Sequence, residues 1–552
     1  MFEIGKLFSH KPDHPMNSIE SARKILKPLE KAKPFDALVA IGGWARSLAR
    51  AAGFACDDRF QIVVEVESAG KEVAATVFQE YMKYIHKRDQ YQRTIYEALR
   101  DYWAAVAAAY EGCVLDHMEG KPGAAAFTGH LPLAIARAIR ASEKAKRMSR
   151  LRYVASEAEI WESVCRLMTY AEKTAVDQLA IVVYEHEVHT TIRAQLLHMA
   201  AMSLAELNKV PPEQVELAGR ILERFAVSFS WSAQASPDCN FVLDLAAGAP
   251  PRRHNPNEAP SPAKRYFGGG AALAKLAEVE ALVENNLLAA ESHFGPEFSQ
   301  AQIVSVIRHM LVYLGSAPPQ RRFPRTEVSV PIEIIHGFGA IAPGVVVLDA
   351  GSAAMVDEHL NVKQRQRPGV ELAAETVDLE PELWTTSDGS EWGLGVDIPK
   401  GLGTWAEPGI LCGVRQSQSA PWLVGIIRSA EANEFGRTHC GLWIMSKRPI
   451  STHLRLMGSE AHKVANWETS SGGFGYTYIR ALLLPDAVKA NDRPVMLIER
   501  QTIWIGEICE LMAGEQSRYV RLMELIEEGS DYIYVGFDWM TEGESAGEAD
   551  SK

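Results

Sequence analysis

Arg321-Arg322-Phe323-Pro324-Arg325 runs straight into Thr326-Glu-Val-Ser-Val-Pro-Ile-Glu-Ile-Ile335. The second part alternates apolar and polar residues, the period of a half-buried β-strand. Three guanidinium groups therefore stand at the mouth of a strand. Upstream, Gln300 to Leu314 carries apolar residues three and four apart, a helical pattern that ends at Gly315. Ala317-Pro-Pro319 then breaks it. The junction divides the chain, with helical periodicity before it and short β-like runs after it.

Residues 17 to about 315 read as predominantly helical. Ser156-Glu-Ala-Glu-Ile-Trp-Glu-Ser-Val-Cys-Arg-Leu-Met168 shows the period, and Leu196–Leu207 and Val215–Phe229 are further amphipathic segments. Asn17-Ser-Ile-Glu20 and Ser156-Glu-Ala-Glu159 each fit a helix start, a capping side chain three residues ahead of a carboxylate. Gly248 to Pro262 holds five prolines and two adjacent arginines, which predicts a linker over about 248–266 between two helical halves.

After Arg325 the predicted strands are Glu327–Ile335, Gly344–Leu348, Gly393–Asp397, Gly409–Val414, Trp422–Arg428 and Cys440–Met445. A second set follows: Thr477–Leu484, Val495–Arg500, Trp504–Cys509, Tyr519–Leu525 and Tyr532–Phe537. Trp422-Leu-Val-Gly-Ile-Ile and Ile503-Trp-Ile-Gly-Glu-Ile resemble each other, which points to two consecutive β units. The expected division is 1–316 helical, 317–450 a first β unit with an insertion at about 338–382, 451–540 a second β unit, and 541–552 an acidic, disordered tail.

The whole is α+β and too long for one core. Hydrophobic content of 47% and charged content of 23% are those of a soluble globular protein. The net charge of −13 speaks against nucleic-acid or anionic-membrane binding through the whole surface. No apolar run reaches the length of a spanning helix, and Met1-Phe-Glu-Ile-Gly-Lys lacks a signal-peptide pattern, so a cytoplasmic protein is expected. Seven scattered cysteines, none spaced as Cys-x-x-Cys, read as reduced and mostly buried.

Downstream of the arginines lies Asp388-Gly-Ser390-Glu-Trp-Gly393-Leu-Gly, a turn of small polar residues. Arg-x-x-x-Arg, a strand, then Asp-x-Ser-x-x-Gly resembles the PilZ family, β-barrel receptors for cyclic di-GMP; the resemblance spans roughly 317–450. It implies a PilZ-like barrel in which Arg321 and Arg325 match the paired arginines, with Arg322 an extra cation, and Asp388, Ser390 and Gly393 match the second element. Gly441-Leu-Trp-Ile resembles the closing strand. The chemistry fits such a ligand. Guanidinium groups fork onto phosphates, pair with the guanine O6/N7 edge and stack on bases. A carboxylate accepts from guanine N1–H and N2–H, and a glycine lets backbone approach closely.

Two features depart from the family pattern. The interval from Arg325 to Asp388 is longer than a simple barrel needs, and it contains a competing Lys363-x-x-x-Arg367 that no clean strand follows. Glu391-Trp392 stands where small residues suit a tight approach, and the indole either stacks on a base or blocks the site.

The resemblance implies a cyclic di-GMP receptor whose helical region contacts unknown protein partners, in motility, pilus, surface-polysaccharide or biofilm control. The alternative is a PilZ-like adaptor that no longer binds nucleotide. No catalytic residues, metal ligands or cofactor are expected, and no cyclase or phosphodiesterase motif is present. A third possibility, an enzyme around His186 and His189 in Glu185-His-Glu-Val-His189, gives way to a polar helical face. Gly268-Gly-Gly270 lacks a preceding strand in this reading and is a linker or helix start. The basic run Arg137–Arg152 reads as a solvated face.

Overall fold

The computed structural model describes residues 12–87, 89–155, 158–287, 294–317, 319–320, 323–347, 380–433, 437–456, 478–487, 493–500, 505–513 and 516–540. They form two compact units, Met1–Gln320 and Arg321–Lys552.

The first unit opens with α1 (Ile19–Leu26), α2 (Pro34–Arg50), α3 (Cys56–Lys83), α4 (Gln90–Met118), α5 (Ala124–Phe127), α6 (Leu131–Leu151), α7 (Ala158–Lys173), α8 (Ile192–Leu204) and α9 (Pro212–Phe225). Strands β1 (Ser230–Ser232), β2 (Phe241–Asp244), β3 (Arg252–Arg253) and β4 (Lys264–Gly268) follow, then α10 (Gly270–Glu284) and α11 (Gln300–Tyr313). The proline-rich stretch is thus no bare linker. β3 pairs antiparallel with β2, and β2 with β4, in a small sheet ordered β1-β4-β2-β3. The glycine run does follow a strand, and its first member is needed there: a Cβ at Gly268 would lie 2.0 Å from the Asp238 carbonyl oxygen.

α1 starts one residue later than the expected cap. Ser18 and Ser21 form the reciprocal cap, and Glu20 lies in the first turn. Around the fully buried Trp161, Tyr102, Tyr110 and Phe127, apolar faces of these helices make one continuous core. The basic run lies on α6 and is turned inward, not solvated: Arg140, Lys146 and Arg147 are buried. Its charges are met by carboxylates of α6 itself and of other helices. Arg147 donates to Glu143 at 2.7 Å and Glu216 at 3.1 Å, and Arg137 to Glu67 at 3.1 Å. α4 runs antiparallel to α6, and its rings take the cations in register: Tyr110 with Arg137, Trp103 with Lys144, Tyr96 with Arg152. Glu185–His189 is an exposed loop between α7 and α8 rather than a helical face.

The second unit contains β5 (Thr326–Glu327), β6 (Pro331–His336), α12 (Phe338–Gly344), β7 (Val346–Val347), β8 (Glu382–Gly389), β9 (Gly393–Ile398), β10 (Leu411–Arg415), β11 (Leu423–Ala432) and β12 (Thr438–Ser446). β13 (Ile450–Leu456), β14 (Tyr478–Leu483), β15 (Val495–Glu499), β16 (Ile508–Ala513), β17 (Gln516–Glu528) and β18 (Tyr532–Trp539) complete it. The expected strand Glu327–Ile335 is divided. The Thr386 hydroxyl accepts from the Val330 N–H at 2.9 Å and donates to the Val328 carbonyl at 3.0 Å, standing in for part of the ladder between β5 and β6. The expected strand Gly344–Leu348 is the end of α12 and the short β7.

Two closed antiparallel barrels of six strands result. In the first, β6-β8-β9-β12-β11-β10 returns to β6, with β5 added beside β8. In the second, β13-β14-β15-β18-β17-β16 returns to β13, with β7 added in parallel. Numbered along the chain, both barrels pair strand one with two, two with three, three with six, six with five, five with four, and four with one. Each also has two register shifts in its five–six pair. The repeat is therefore one of topology. The sequence likeness between 422–427 and 503–508 misaligns it, because β11 is a fifth strand and Ile508 begins a fourth.

Alternation explains why several strands of the second barrel are apolar on both faces. Ile479, Ala481, Met496, Ile498, Ile533 and Val535 fill its interior. The intervening Leu482, Leu497, Tyr532 and Tyr534 pack against α12 and the first barrel's Val424 and Ile426. Arg428 and Glu527 bridge the barrels at 2.7 Å.

Candidate ligand site

The site is built on β8 and its turn into β9. Low on β8, Glu382 accepts from the indole N–H groups of Trp384 and Trp405, both at 2.8 Å, and from the Gly403 amide at 2.7 Å. Trp405 stacks between Trp384 and His336, with centroids 5.1 and 4.1 Å away. Burial pushes the His336 imidazole below its ordinary pKa. This cluster fixes the start of the strand whose other end carries Asp388.

Asp388 lies in the strand itself, not in a loop, opposite Gly395 and immediately after a register shift between Thr386 and Asp388. Such a bulge re-aims a side chain. The Asp388 carboxylate lies over the neighbouring strand, where Oδ1 accepts from the Gly395 N–H at 3.1 Å. Only glycine allows this, since a Cβ at position 395 would sit 2.8 Å from Asp388 Cγ. Gly395 is a position of the candidate site that the sequence reading did not single out; its signal is the glycine two residues beyond Gly393.

Arg325 enters from the other side. Thr326 pairs with Gly389 and Glu327 with Asp388, so the lead-in is stitched along β8. Arg325 Nη1 reaches Asp388 Oδ1 at 2.8 Å and Oδ2 at 3.0 Å, and the two side chains keep 28% and 27% of their exposure. The pair is open to solvent. In the turn, the Ser390 N–H and hydroxyl both approach the Gly393 carbonyl, at 2.7 and 3.3 Å. The Trp392 carbonyl accepts from Ile444 at 2.9 Å.

The structure thus brings together Arg325, Asp388, Ser390 and Gly393. Arg321 and Arg322, and the competing Lys363 and Arg367, lie outside the described residues. Among the described residues, no three His, Cys, Asp or Glu side chains are grouped to hold a metal, and no helix is long and apolar enough to cross a membrane.

The arrangement offers a cation for a phosphate or a guanine edge, and a carboxylate for guanine N–H groups. An exposed ion pair contributes only about 0–1 kcal/mol, so an incoming anion displaces little when it separates the two.

Residues 20–235 match the family model described as the N-terminal domain of the cyclic-di-GMP receptor FimW. The match lies within the helical unit and covers less than half of the chain. No curated protein matches the sequence.

Proposed function

We propose that this chain is a cytoplasmic receptor for cyclic di-GMP, acting by binding rather than catalysis. In this reading the first barrel is PilZ-like. The ligand engages Arg325, Asp388, Ser390 and Gly393, with Arg321 and Arg322 on the lead-in. The observation that carries it is the Arg325–Asp388 pair on an Asp-x-Ser-x-x-Gly turn of a closed six-stranded barrel. The likeness of the helical unit to the N-terminal domain of a cyclic-di-GMP receptor supports it independently. The helical unit serves as output, contacting protein partners in surface-associated processes such as motility or biofilm formation. The ligand binds beside the segment that joins it to the barrel, turning binding energy into a population shift.

A second reading is an adaptor whose site is closed by its own side chains. It draws on Asp388 already neutralising Arg325 and on a lysine covering Trp392. Equilibrium dialysis against cyclic di-GMP, with GMP as competitor, separates the two. Retention by the intact chain, lost in Arg321→Ala/Arg325→Ala, supports the receptor. No retention by the intact chain leaves the adaptor.

A further inference from the structure

The turn at Asp388–Gly393 has a cation on each flank. In the first barrel the local strand order is β5-β8-β9-β12. Arg325 precedes β5. On the opposite flank, Lys447 follows β12 directly, and its ammonium lies over the Trp392 ring, 4.5 Å from the centroid. Trp392 is half-buried and Lys447 exposed. Strands spaced roughly 4.8 Å apart put the two cation-bearing positions about 14 Å apart across the turn. Each flank thus offers one cation, and a ligand with two anionic groups and flat bases can engage both.

Lys447 is placed by the second barrel. Its N–H donates to Asp486 Oδ2 at 2.9 Å, and the neighbouring Ser446 hydroxyl donates to the other oxygen of the same carboxylate. Asp486 follows β14, in the connection between the second and third strands of the second barrel. The connection between the second and third strands of the first barrel carries Ser390 and Trp392. The duplicated topology therefore uses corresponding connections differently: one faces solvent, and the other holds the chain that presents Lys447.

Resting on the receptor reading, we propose that Lys447 and Trp392 form the second half of the ligand site. The Lys447 ammonium takes one phosphate, and the indole face it leaves takes a guanine base. An exposed ammonium over a half-buried indole is held by a modest cation–π attraction and can be redirected to a phosphate oxygen. Asp486 is a positioning residue that fixes the Lys447 backbone.

The test is a titration of the full chain with cyclic di-GMP, comparing the intact protein with Lys447→Gln, Lys447→Arg, Trp392→Phe and Arg325→Ala. Thermal melts confirm that each variant is folded. Lys447→Gln weakens binding about tenfold, the loss of one charge-assisted contact, while Lys447→Arg stays within about threefold. Ligand quenches tryptophan fluorescence in the intact protein, and that quenching falls in Trp392→Phe. Unchanged affinity in Lys447→Gln alongside lost affinity in Arg325→Ala overturns this inference and leaves the receptor standing. No binding by the intact chain overturns both.

Discussion

Arg325 and Asp388 are 63 positions apart in the chain, yet the guanidinium lies 2.8 Å from the carboxylate. Closure of the first barrel brings them together, with β5 laid along β8. Neither residue is needed to hold that barrel, because both side chains are open to solvent and the ladder is made by backbone. Asp388→Asn should therefore change the stability of the chain by no more than about 1 kcal/mol in urea unfolding. A larger loss would assign the pair a structural role.

Gly395 bears on the placement of Asp388. A methyl group there meets Asp388 Cγ at 2.8 Å. Gly395→Ala should cost no more than about 1 kcal/mol, because the part-exposed carboxylate can swing away, and should displace Asp388 from its place over β9. Denaturation measures the first effect and ligand titration the second. Unchanged stability together with unchanged binding would contradict the geometry.

Why some of this was legible in the sequence, and some not, follows from where the signals lie. The strands with alternating or wholly apolar runs were visible. β8 was not, because Glu-Leu-Trp-Thr-Thr-Ser-Asp-Gly buries only Trp384 and Thr386, leaving Leu383 exposed and polar groups elsewhere. β13 carries His453 and Arg455 amid its apolar residues and was missed for the same reason. Asp388, Ser390 and Gly393 were singled out by their resemblance to a family motif. Gly395 and Lys447 were not, since their roles depend on which strands become neighbours. The inward turn of α6 was also hidden. A run of cations reads as solvated unless the carboxylates that pair with it are known, and Glu67 and Glu216 come from α3 and α9.

Glu67 is 1% exposed and accepts from the hydroxyls of Tyr110 and Tyr184 and from Arg137. Glu67→Ala should destabilise the helical unit by about 3–5 kcal/mol, because a part-buried guanidinium loses its carboxylate and two buried hydroxyls lose their acceptor. Glu67→Gln, which retains one acceptor oxygen, should cost less. Equal losses in the two variants would contradict the charge pairing.

Glu143 makes the acid stability testable. Burial alone would raise its pKa, but the Arg147 guanidinium beside it, helped by His198 and Arg150, holds it down at about 2. A carboxyl lowered in the folded state gives stability that is complete above its unfolded value, near pH 4.5, and is lost as pH falls towards 2. Thermal melts between pH 5 and pH 2 should fall steeply for the intact protein. For Glu143→Gln they should start lower at neutral pH and fall less. Parallel curves would contradict this.

The central claim is that the Asp388–Gly393 turn and Arg325 receive cyclic di-GMP. Titration calorimetry of the full chain with that nucleotide, beside Arg325→Ala and Asp388→Ala, tests it most directly. The expected result is micromolar or tighter binding by the intact protein, lost or strongly weakened in both variants while both remain folded. Silence in the intact protein, or binding that survives both substitutions, would contradict it.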